Sequence, residues 1–321
     1  MTMTEDVSIL SEDMPDIVGA LAPSPNFLHD GVCFAARNSG LYRSDDGGET
    51  WRPTYGSLGL TAPLATTAVA VSSTFTSDQT VFAGVNGGVL RSVDGGETWY
   101  AAVFPGPSSL VTALAVSPNF AEDGIVLAGT MEDGVFRSAD RGSSWAAWNF
   151  GLLDLSVFCM AVSPKFTDDE TLFAGTTSGL FRSTNGGRAW REVDFPVDLA
   201  PVLSIVPSPD YLHDGVLFVG TESNGLFSSA DRGRTWTRLG EDVLTGAVNG
   251  IALSPQFPAK PEILVLLYDA LLVSRDAGQS WSEWRAGTRL ECDTASLAVP
   301  NGLDPAAPLL IGLIDGSVIR L

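Results

Sequence analysis

The sequence is poor in cysteine, histidine and basic side chains. Its 321 residues include 3 cysteines, 2 histidines and 18 lysines and arginines, against 38 acidic side chains, which gives a formal net charge of −20. Nucleic-acid binding needs cationic side chains that replace counterions on phosphates, so the composition argues against nucleic acid as a partner. An anionic membrane surface is disfavoured for the same reason.

Export and membrane signals are also lacking. Residues 1–16 contain no basic stretch followed by an apolar one, as a signal peptide would. The longest apolar run, residues 263–268, is far shorter than the roughly 18 residues that a membrane helix needs. We therefore expect no membrane insertion and a cytoplasmic location. Because Cys33, Cys159 and Cys292 are widely spaced and odd in number, we expect free thiols rather than disulfides or a zinc site.

What the sequence does contain is a segment of eleven residues that recurs six times. Its copies are LYRSDDGGETW (41–51), VLRSVDGGETW (89–99), VFRSADRGSSW (135–145), LFRSTNGGRAW (180–190), LFSSADRGRTW (226–236) and LLVSRDAGQSW (271–281). The last residues of the copies are Trp51, Trp99, Trp145, Trp190, Trp236 and Trp281. Six of the 8 tryptophans thus share one phase of a single period, which indicates a repeat architecture.

A second motif precedes each copy. An apolar run leads into Ser-Pro and an aromatic residue, as in ALAVSPNF (113–120), and another apolar run follows, as in IVLAGT (125–130). A seventh copy of this front half occupies residues 296–321, so the chain holds seven units of about 46 residues. We take the run before Ser-Pro as strand A, the next run as strand B, the apolar start of the recurrent segment (as in GLFRS, 179–183) as strand C, and strand D as starting at the Trp.

Four short strands in every unit are typical of a β-propeller blade. We therefore predict an all-β fold: one seven-bladed β-propeller domain over residues 1–321, with four-stranded antiparallel blades. The seventh unit has no strand D of its own. We expect an N-terminal strand at residues 7–10 to complete that blade beside residues 317–321, since strand C would otherwise be a bare edge.

The recurrent segment resembles the Asp-box, or bacterial neuraminidase repeat, whose pattern is Ser-x-Asp-x-Gly-x-Thr/Ser-Trp. The box Asp positions are Asp46, Asp94, Asp140, Asn185, Asp231 and Asp276. The fourth copy departs from the pattern, with Asn185 for Asp and Ala189 for Thr. The resemblance implies that each box is a structural turn between strands C and D, away from the ligand-binding face.

The residue types of the box fit a structural role. An Asp carboxylate accepts backbone N–H groups of its own turn, and a Trp buries a large apolar area between neighbouring sheets. Calcium binding is the alternative, because SDDGGET (44–50) is an acidic loop. It lacks the full ligand set of a calcium loop, so we predict no metal.

The resemblance to Asp-box propellers leaves two function classes open. Sialidases carry an Arg-Ile-Pro motif, and Arg52-Pro53 lacks the Ile. The xyloglucan-degrading relatives use two propellers, whereas photosystem II assembly factors are single propellers of about this length. We therefore expect a non-enzymatic interaction scaffold with a protein partner, and keep a carbohydrate-active enzyme, a glycosidase or lyase with a site over the central channel, as the alternative.

No catalytic set stands out in the sequence. His29 and His213 occupy equivalent places in units one and five, Phe-Leu-His-Asp-Gly and Tyr-Leu-His-Asp-Gly, which repeat ancestry explains. We predict no catalytic residue and no cofactor. A series of arginines falls at one position of strand C, either to pair with acids of the adjacent blade or to form a binding patch: Arg43, Arg91, Arg137, Arg182 and Arg320.

Propeller ligands usually sit over the channel, on the face built by the B–C and D–A loops. We assign residues 52–64 and 100–110 to two of the D–A loops, and we expect these loops to expose aromatic side chains that suit a protein or sugar partner. The alternative is that the aromatic side chains only cover the blade tops. The candidate binding residues are Arg37, Tyr55, Tyr100, Trp148, Glu222, Tyr268 and Trp284.

Overall fold

The computed structural model describes residues 15–106, 109–197, 200–285, 290 and 293–321. Seven antiparallel sheets follow one another along the chain, six with four strands and the last with three. Within each sheet the strands lie in chain order, so every sheet is an A-B-C-D meander. The chain is a seven-bladed β-propeller, as the repeat predicts.

The first four blades contain strands β1 to β16. They are β1 (Val18–Pro23), β2 (Cys33–Arg37), β3 (Gly40–Ser44) and β4 (Arg52–Pro53); β5 (Ala68–Val71), β6 (Val81–Val85), β7 (Gly88–Ser92) and β8 (Tyr100–Val103); β9 (Val111–Val116), β10 (Val126–Thr130), β11 (Val135–Ser138) and β12 (Ala146–Ala147); β13 (Val157–Val162), β14 (Leu172–Thr176), β15 (Leu180–Ser183) and β16 (Arg191–Glu192).

The last three blades contain strands β17 to β27. They are β17 (Val202–Pro207), β18 (Leu217–Thr221), β19 (Leu226–Ser229) and β20 (Thr237–Leu239); β21 (Gly250–Leu253), β22 (Ile263–Leu266), β23 (Leu271–Ser274) and β24 (Ser282–Glu283); and β25 (Thr294–Ala298), β26 (Leu310–Leu313) and β27 (Val318–Arg320).

The B strands are buried on both faces because each blade is covered by a neighbour on either side. Every residue of β6, β10, β14, β18, β22 and β26 is buried. This explains why these strands read as continuous apolar runs and not as alternating ones. The core is accordingly divided into seven apolar clusters, most of which join residues of consecutive blades.

Blades 1 to 5 each carry a one-turn helix in the A–B loop, which the sequence analysis did not predict. The helices are α1 (Phe27–Asp30), α2 (Phe75–Asp78), α3 (Phe120–Asp123), α4 (Phe166–Asp169) and α5 (Tyr211–Asp214). In α1, Asp30 Oδ2 accepts the Ser24 hydroxyl at 2.6 Å, and Oδ1 accepts the Val32 amide at 2.9 Å. The Ser-Pro-x-aromatic motif is therefore a compact turn that buries its aromatic ring.

These aromatic rings pack between blades. The Phe75 ring of blade 2 meets Phe34 of blade 1 edge to face at 5.9 Å between centroids, and Phe120 of blade 3 meets Phe82 of blade 2 at 5.7 Å. Such pairs contribute about 0.5–1.5 kcal/mol beyond the area they bury. The one-turn helices thus help to fix the angle between consecutive blades.

The A strands form the inner ring, where polar side chains link consecutive blades. The ring has seven junctions between consecutive blades. At six of them, a side chain in strand A, or just before it, donates to a backbone carbonyl of the next blade. The acceptor is the sixth residue before the Ser of the Ser-Pro motif in that blade, or before the equivalent position. The donors and acceptors are Thr67 to Val111, Thr112 to Val157, Cys159 to Val202, Ser204 to Val248, Asn249 to Thr294, and Ser296 to Val18.

The step from blade 1 to blade 2 has no such donor. The equivalent residues are Gly19 and Ala20, and a Cβ on Gly19 would lie 3.3 Å from the Thr67 carbonyl oxygen. Blade 7 packs against blade 1 through β25 and β1, and the Ser296 hydroxyl lies 2.7 Å from the Val18 carbonyl oxygen. The seven blades therefore form a closed ring.

Blade 7 has three strands within the described residues, and β27 pairs with β26. The strand expected at residues 7–10 lies outside the described residues and stays a prediction. The first described residues lie next to blades 1 and 7. The Pro15 carbonyl accepts from Asn38 of blade 1 at 2.6 Å, and a Cβ on Gly316 of blade 7 would lie 2.8 Å from the Asp16 carbonyl oxygen.

Cys33 and Cys159 are free thiols, and burial raises the pKa of each to about 12. Cys292 lies outside the described residues. Each α-helix of the described part of the chain has four residues, and none is long and apolar enough to cross a membrane.

Candidate functional site

Each Asp-box forms the same hydrogen-bonded turn between strands C and D. In blade 1, Asp46 Oδ1 accepts the Thr50 amide at 2.9 Å and the Ser44 hydroxyl at 2.8 Å, while Oδ2 accepts the Thr50 hydroxyl at 2.5 Å. The Ser44 oxygen in turn accepts the Gly48 amide at 2.8 Å. Gly48 has φ +94°, a conformation that favours glycine. Both carboxylate oxygens are thus used as acceptors within the turn.

The fourth box keeps part of this network. Asn185 Oδ1 accepts the Ala189 amide and the Ser183 hydroxyl, each at 2.9 Å. Ala189 has no hydroxyl to donate to the second side-chain atom, so the change from Asp to Asn and the change from Thr to Ala belong together. Asn185 keeps the side-chain oxygen that accepts the Ala189 amide.

Hydrogen bonds stabilise the ionised form of the box carboxylates. The hydroxyl of Thr50 and its amide lower the pKa of Asp46 to about 2, and Ser144 and Ser280 do the same for Asp140 and Asp276. A carboxylate that accepts several N–H and O–H groups loses them on protonation.

The box tryptophans join each blade to the preceding one. The Trp99 side chain is 7% exposed, and its Nε1 donates to the Thr54 carbonyl of blade 1 at 3.2 Å. Trp190 Nε1 donates to the Trp148 carbonyl of blade 3 at 2.8 Å, and Trp236 Nε1 donates to the Asp194 carbonyl of blade 4 at 3.1 Å. These contacts favour the predicted structural role of the boxes.

The arginine series also bridges blades, mainly through backbone acceptors. Arg43 Nη1 donates to the Gly95 carbonyl at 2.5 Å, Arg91 Nη1 donates to the Arg141 carbonyl at 2.9 Å, and Arg182 donates to the Arg232 carbonyl. Each acceptor follows the box Asp of the next blade. Arg320 instead pairs with the blade 1 acid Glu49 at 3.2 Å. Arg137 lies over the Trp148 ring at 4.3 Å. These contacts favour the structural interpretation, with carbonyls replacing most of the expected acids.

The B–C and D–A loops form the opposite face, which we call the loop face. The sequence-based bounds of two D–A loops were wrong, because strand D starts one residue after the box Trp. Residues 52–53 belong to β4, and residues 100–103 belong to β8. Tyr100 therefore lies on an outer strand and not in a loop, although its side chain is 60% exposed as expected.

The candidate binding residues fall into two groups. Tyr100, Glu222 and Tyr268 are exposed. Tyr268 and Asp293 share a side-chain hydrogen bond, which is the main cause of the raised pKa of Tyr268. Glu222 lies in the B–C loop of blade 5, where its amide donates to the Pro201 carbonyl at 2.9 Å.

The other group is partly or fully buried, so the expectation that the loop aromatics are exposed is wrong for these side chains. Trp284 is 5% exposed within the apolar cluster of blades 6 and 7. Tyr55 meets Trp99 edge to face at 5.4 Å, and its hydroxyl lies 2.8 Å from Thr66 Oγ1. Trp148 and Arg37 are half-buried, and Arg37 stacks on Tyr42 at 4.4 Å. Burial lowers the pKa of Arg37.

The 148–156 loop, between blades 3 and 4, exposes apolar side chains that the sequence did not distinguish from the others. Phe150 and Leu153 are each 79% exposed. The loop is nevertheless held on both sides: the Phe150 carbonyl accepts the Trp190 amide at 2.8 Å, and the Leu155 carbonyl accepts the Gly134 amide at 2.9 Å. The structure thus presents two apolar side chains on a backbone that is fixed to both blades.

Asp154 anchors the same loop. Partial burial opposes its ionisation, but hydrogen bonds from Thr177, Ser156 and Ser178 outweigh burial and lower its pKa to about 2. Its Oδ2 accepts the Thr177 hydroxyl at 2.6 Å and the Ser178 amide at 2.7 Å. Asp154 is therefore an ionised acceptor that joins the loop to blade 4.

Comparison with known proteins agrees with this architecture. A model of the BNR/Asp-box repeat matches residues 42–53. No curated protein sequence matches the chain. Among solved structures, the xyloglucanase of glycoside hydrolase family 74 from Xanthomonas campestris superposes with a TM-score of 0.71 at 17% identity, over 95% of this chain and 52% of the enzyme. This chain thus spans about half of that enzyme.

Two single propellers match over their whole length. YCF48 bound to D1 peptide gives a TM-score of 0.70 at 17% identity, covering 97% of this chain and 95% of YCF48. YCF48 from Cyanidioschyzon merolae gives 0.67 at 13% identity, covering 97% of each chain. At these identities the similarity shows the fold. The chain is thus a seven-bladed β-propeller whose residues 42–53 match the BNR/Asp-box repeat.

Proposed function

We propose that this propeller is a non-enzymatic scaffold that binds a protein partner on its loop face. The observation that carries the proposal is the 148–156 loop, which holds Phe150 and Leu153 at 79% exposure on a backbone hydrogen-bonded to two blades. Exposed apolar side chains on a rigid support are typical of interaction sites, because little conformational entropy is lost on binding. The match to YCF48 bound to D1 peptide supports the same function class.

The alternative is a glycosidase, which the similarity to the xyloglucanase favours. Such an enzyme needs a carboxylic acid whose pKa is raised so that it can protonate the leaving group. Within the described residues, each carboxyl group whose pKa departs from its ordinary value has it lowered, as in Asp154 and the box carboxylates. None of these carboxyl groups is therefore the raised acid that a glycosidase needs.

Site-specific photo-crosslinking tests the proposal. A photoreactive residue at position 153 should crosslink one defined protein in cells of the source organism. The same residue at position 103 is the matched control, because Val103 is 77% exposed but lies on the outer strand β8. An excess of the intact chain should compete for the crosslink from position 153, whereas an excess of the variant Phe150→Ser/Leu153→Ser should not.

Two results would contradict the proposal. One is an identical crosslinking pattern from positions 153 and 103, which would mean that the loop has no preferred partner. The other is turnover of any member of a glycoside panel by the purified chain, since hydrolysis would assign the loop face to an enzyme.

A further inference from the structure

The residue after the box Asp contacts the one-turn helix of its own blade. In blades 1 to 5 its amide donates to the carbonyl of the residue that follows the helix, at 2.9 to 3.0 Å. The pairs, amide first, are Gly47 and Gly31, Gly95 and Gln79, Arg141 and Gly124, Gly186 and Glu170, and Arg232 and Gly215. Each pair brings two side-chain positions to one place beside the helix, which we call the slot of that blade.

Four of the five slots carry a long side chain at one of the two positions. In blade 3, Arg141 Nη2 donates to the Ala121 carbonyl at 2.5 Å, and a Cβ on Gly124 would lie 2.9 Å from Arg141 Cγ. Blade 5 repeats this with Arg232, whose Nη2 donates to the Leu212 carbonyl at 2.6 Å. An arginine in these slots therefore excludes a side chain at the other position.

Blades 2 and 4 show the reverse arrangement. The long side chain follows the helix, as Gln79 or Glu170, and the box position is Gly95 or Gly186. A Cβ on Gly95 would lie 2.8 Å from Gln79 Oε1. The two positions thus compensate for each other.

Blade 1 has glycine at both positions, Gly31 and Gly47. A cavity of about 270 Å³ lies there, between the α1 backbone, the start of the first box, and Pro308 and Arg320 of blade 7. The Leu28 carbonyl in its wall is equivalent to the Ala121 and Leu212 carbonyls that accept a guanidinium in blades 3 and 5. Within the described residues, no side chain donates to the Leu28 carbonyl.

One side chain in the wall of the blade 1 slot differs from the arginine-filled slots. Asp45 stands where those slots have Ala139 and Ala230, and its carboxylate pairs with Arg43 at 2.6 Å and Arg52 at 3.3 Å. Arg320 lines the cavity, and a Cβ on Gly47 would lie 3.0 Å from its Nη1, so a second guanidinium requires this flexible side chain to shift. In blade 3 the equivalent Arg91 lies beside a filled slot and donates to the carbonyl of Arg141 at 2.9 Å.

We infer that the blade 1 slot binds the guanidinium group of an arginine side chain presented by a protein partner. The guanidinium would donate to the Leu28 carbonyl as Arg141 and Arg232 do to the equivalent carbonyls of their blades. The site lies beside the box of blade 1, on the face opposite the loop face. It is therefore a second interaction point, independent of the proposed function.

The test is an amide NMR titration of the full chain with the peptide acetyl-Gly-Arg-Gly-amide. The expected result is a saturable shift of the Leu28, Gly31 and Gly47 amides, with at least tenfold weaker binding of the same peptide carrying neutral citrulline. Arginine amide carries the same guanidinium and should cause the same shifts. If it leaves the Leu28 amide unshifted, the assignment of the slot to a guanidinium is overturned.

Two variants make the test specific. Gly47→Arg should fill the slot with a side chain of the protein itself and abolish the shifts. The backbone at position 47 accommodates an arginine, because its φ of +78° is close to the +61° and +64° of Arg141 and Arg232. Arg141→Gly should open a second slot and add saturable shifts at Ala121 and Gly124. Shifts that persist in Gly47→Arg, or that spread over the acidic surface without saturation, would overturn the inference, as would the absence of new shifts in Arg141→Gly.

Discussion

The box face and the loop face are built on the same blades but follow different rules. On the box face, the same Ser, Asp or Asn, and Gly contacts recur in six blades, with closely similar distances. On the loop face, the D–A connections differ in length and contacts, from residues 54–67 to 104–110. The comparison indicates that the repeated side chains maintain the ring, whereas the proposed partner site rests on side chains that do not repeat.

The largest effect should come from a box tryptophan. Trp99→Ala removes a side chain that is 7% exposed between blades 1 and 2, and should lower the free energy of unfolding by about 3–5 kcal/mol. Urea unfolding followed by circular dichroism measures this. The neighbouring Tyr100→Ala is the control, since Tyr100 is 60% exposed and should cost less than about 0.5 kcal/mol. Similar losses for the two variants would contradict the role of Trp99.

The box carboxylate should matter less than the tryptophan. Asp94→Ala removes the acceptor of the Thr98 amide and hydroxyl, and should cost about 1–2 kcal/mol, as loss of a turn cap does. Asp94→Asn should cost less, because Asn185 retains one of these contacts in blade 4. Added calcium supplies a further check: if it raises the melting temperature of the intact chain and not that of Asp94→Ala, the box binds metal.

Acid should weaken the box turns. Because the native pKa of Asp46, Asp140 and Asp276 is about 2, below the roughly 3.9 of an unfolded Asp, their contribution is complete above about pH 4. It should be lost as the pH falls from about 4 to about 2. Urea midpoints measured across that range should fall less steeply for Asp140→Asn than for the intact chain; parallel slopes would be inconsistent with this account.

Hydrogen bonds of the inner ring should have smaller effects on the free energy of unfolding. Removing one should destabilise the chain, and adding one should stabilise it. Ser204→Ala removes the 2.9 Å hydrogen bond to the Val248 carbonyl and should cost about 1 kcal/mol. Ala20→Ser places a hydroxyl at the equivalent position of blade 1 and should stabilise the chain by up to about 0.5 kcal/mol. A loss of stability in both variants would show that packing, and not the hydrogen bond, decides at this position.

The smallest effect is expected on the loop face. Phe150→Ser/Leu153→Ser changes two side chains that are each 79% exposed, so the free energy of unfolding should change by less than about 0.5 kcal/mol. The double variant should melt like the intact chain even where it abolishes partner crosslinking. A large loss of stability would place this loop with the structural elements, and the contrast between the two faces would not hold.

The sequence predicts the blades well because the repeat shows each strand several times. It does not predict the one-turn helices α1 to α5, since four residues are too few to display a helical period. The inner ring was missed for another reason. Its donors are Thr, Cys, Ser and Asn, and they occupy either of two neighbouring positions, as Thr112 and Ser204 do. A register shift also accompanies the start of these two A strands.

The candidate site was the least predictable part. Whether a loop aromatic is exposed depends on the neighbouring blade: Trp284 lies within the apolar cluster shared by blades 6 and 7, whereas Phe150 projects from a loop of similar composition. The blade 1 slot depends on a pairing of Gly31 with Gly47. Most blades have a glycine at one of these two positions, and blade 1 has a glycine at both. The sequence does not show that the two positions are in contact, and the structure does.

The inner ring also bears on how such a protein grows by duplication of its repeats. Each side chain in the ring donates to the next blade in the same direction, so a typical blade both gives one hydrogen bond and receives one. Blade 1 receives from Ser296 but gives none, because Gly19 and Ala20 stand at the donor positions. A duplicated blade inserted between blades 1 and 2 would therefore interrupt no hydrogen bond of this ring, whereas insertion at any other junction would break one.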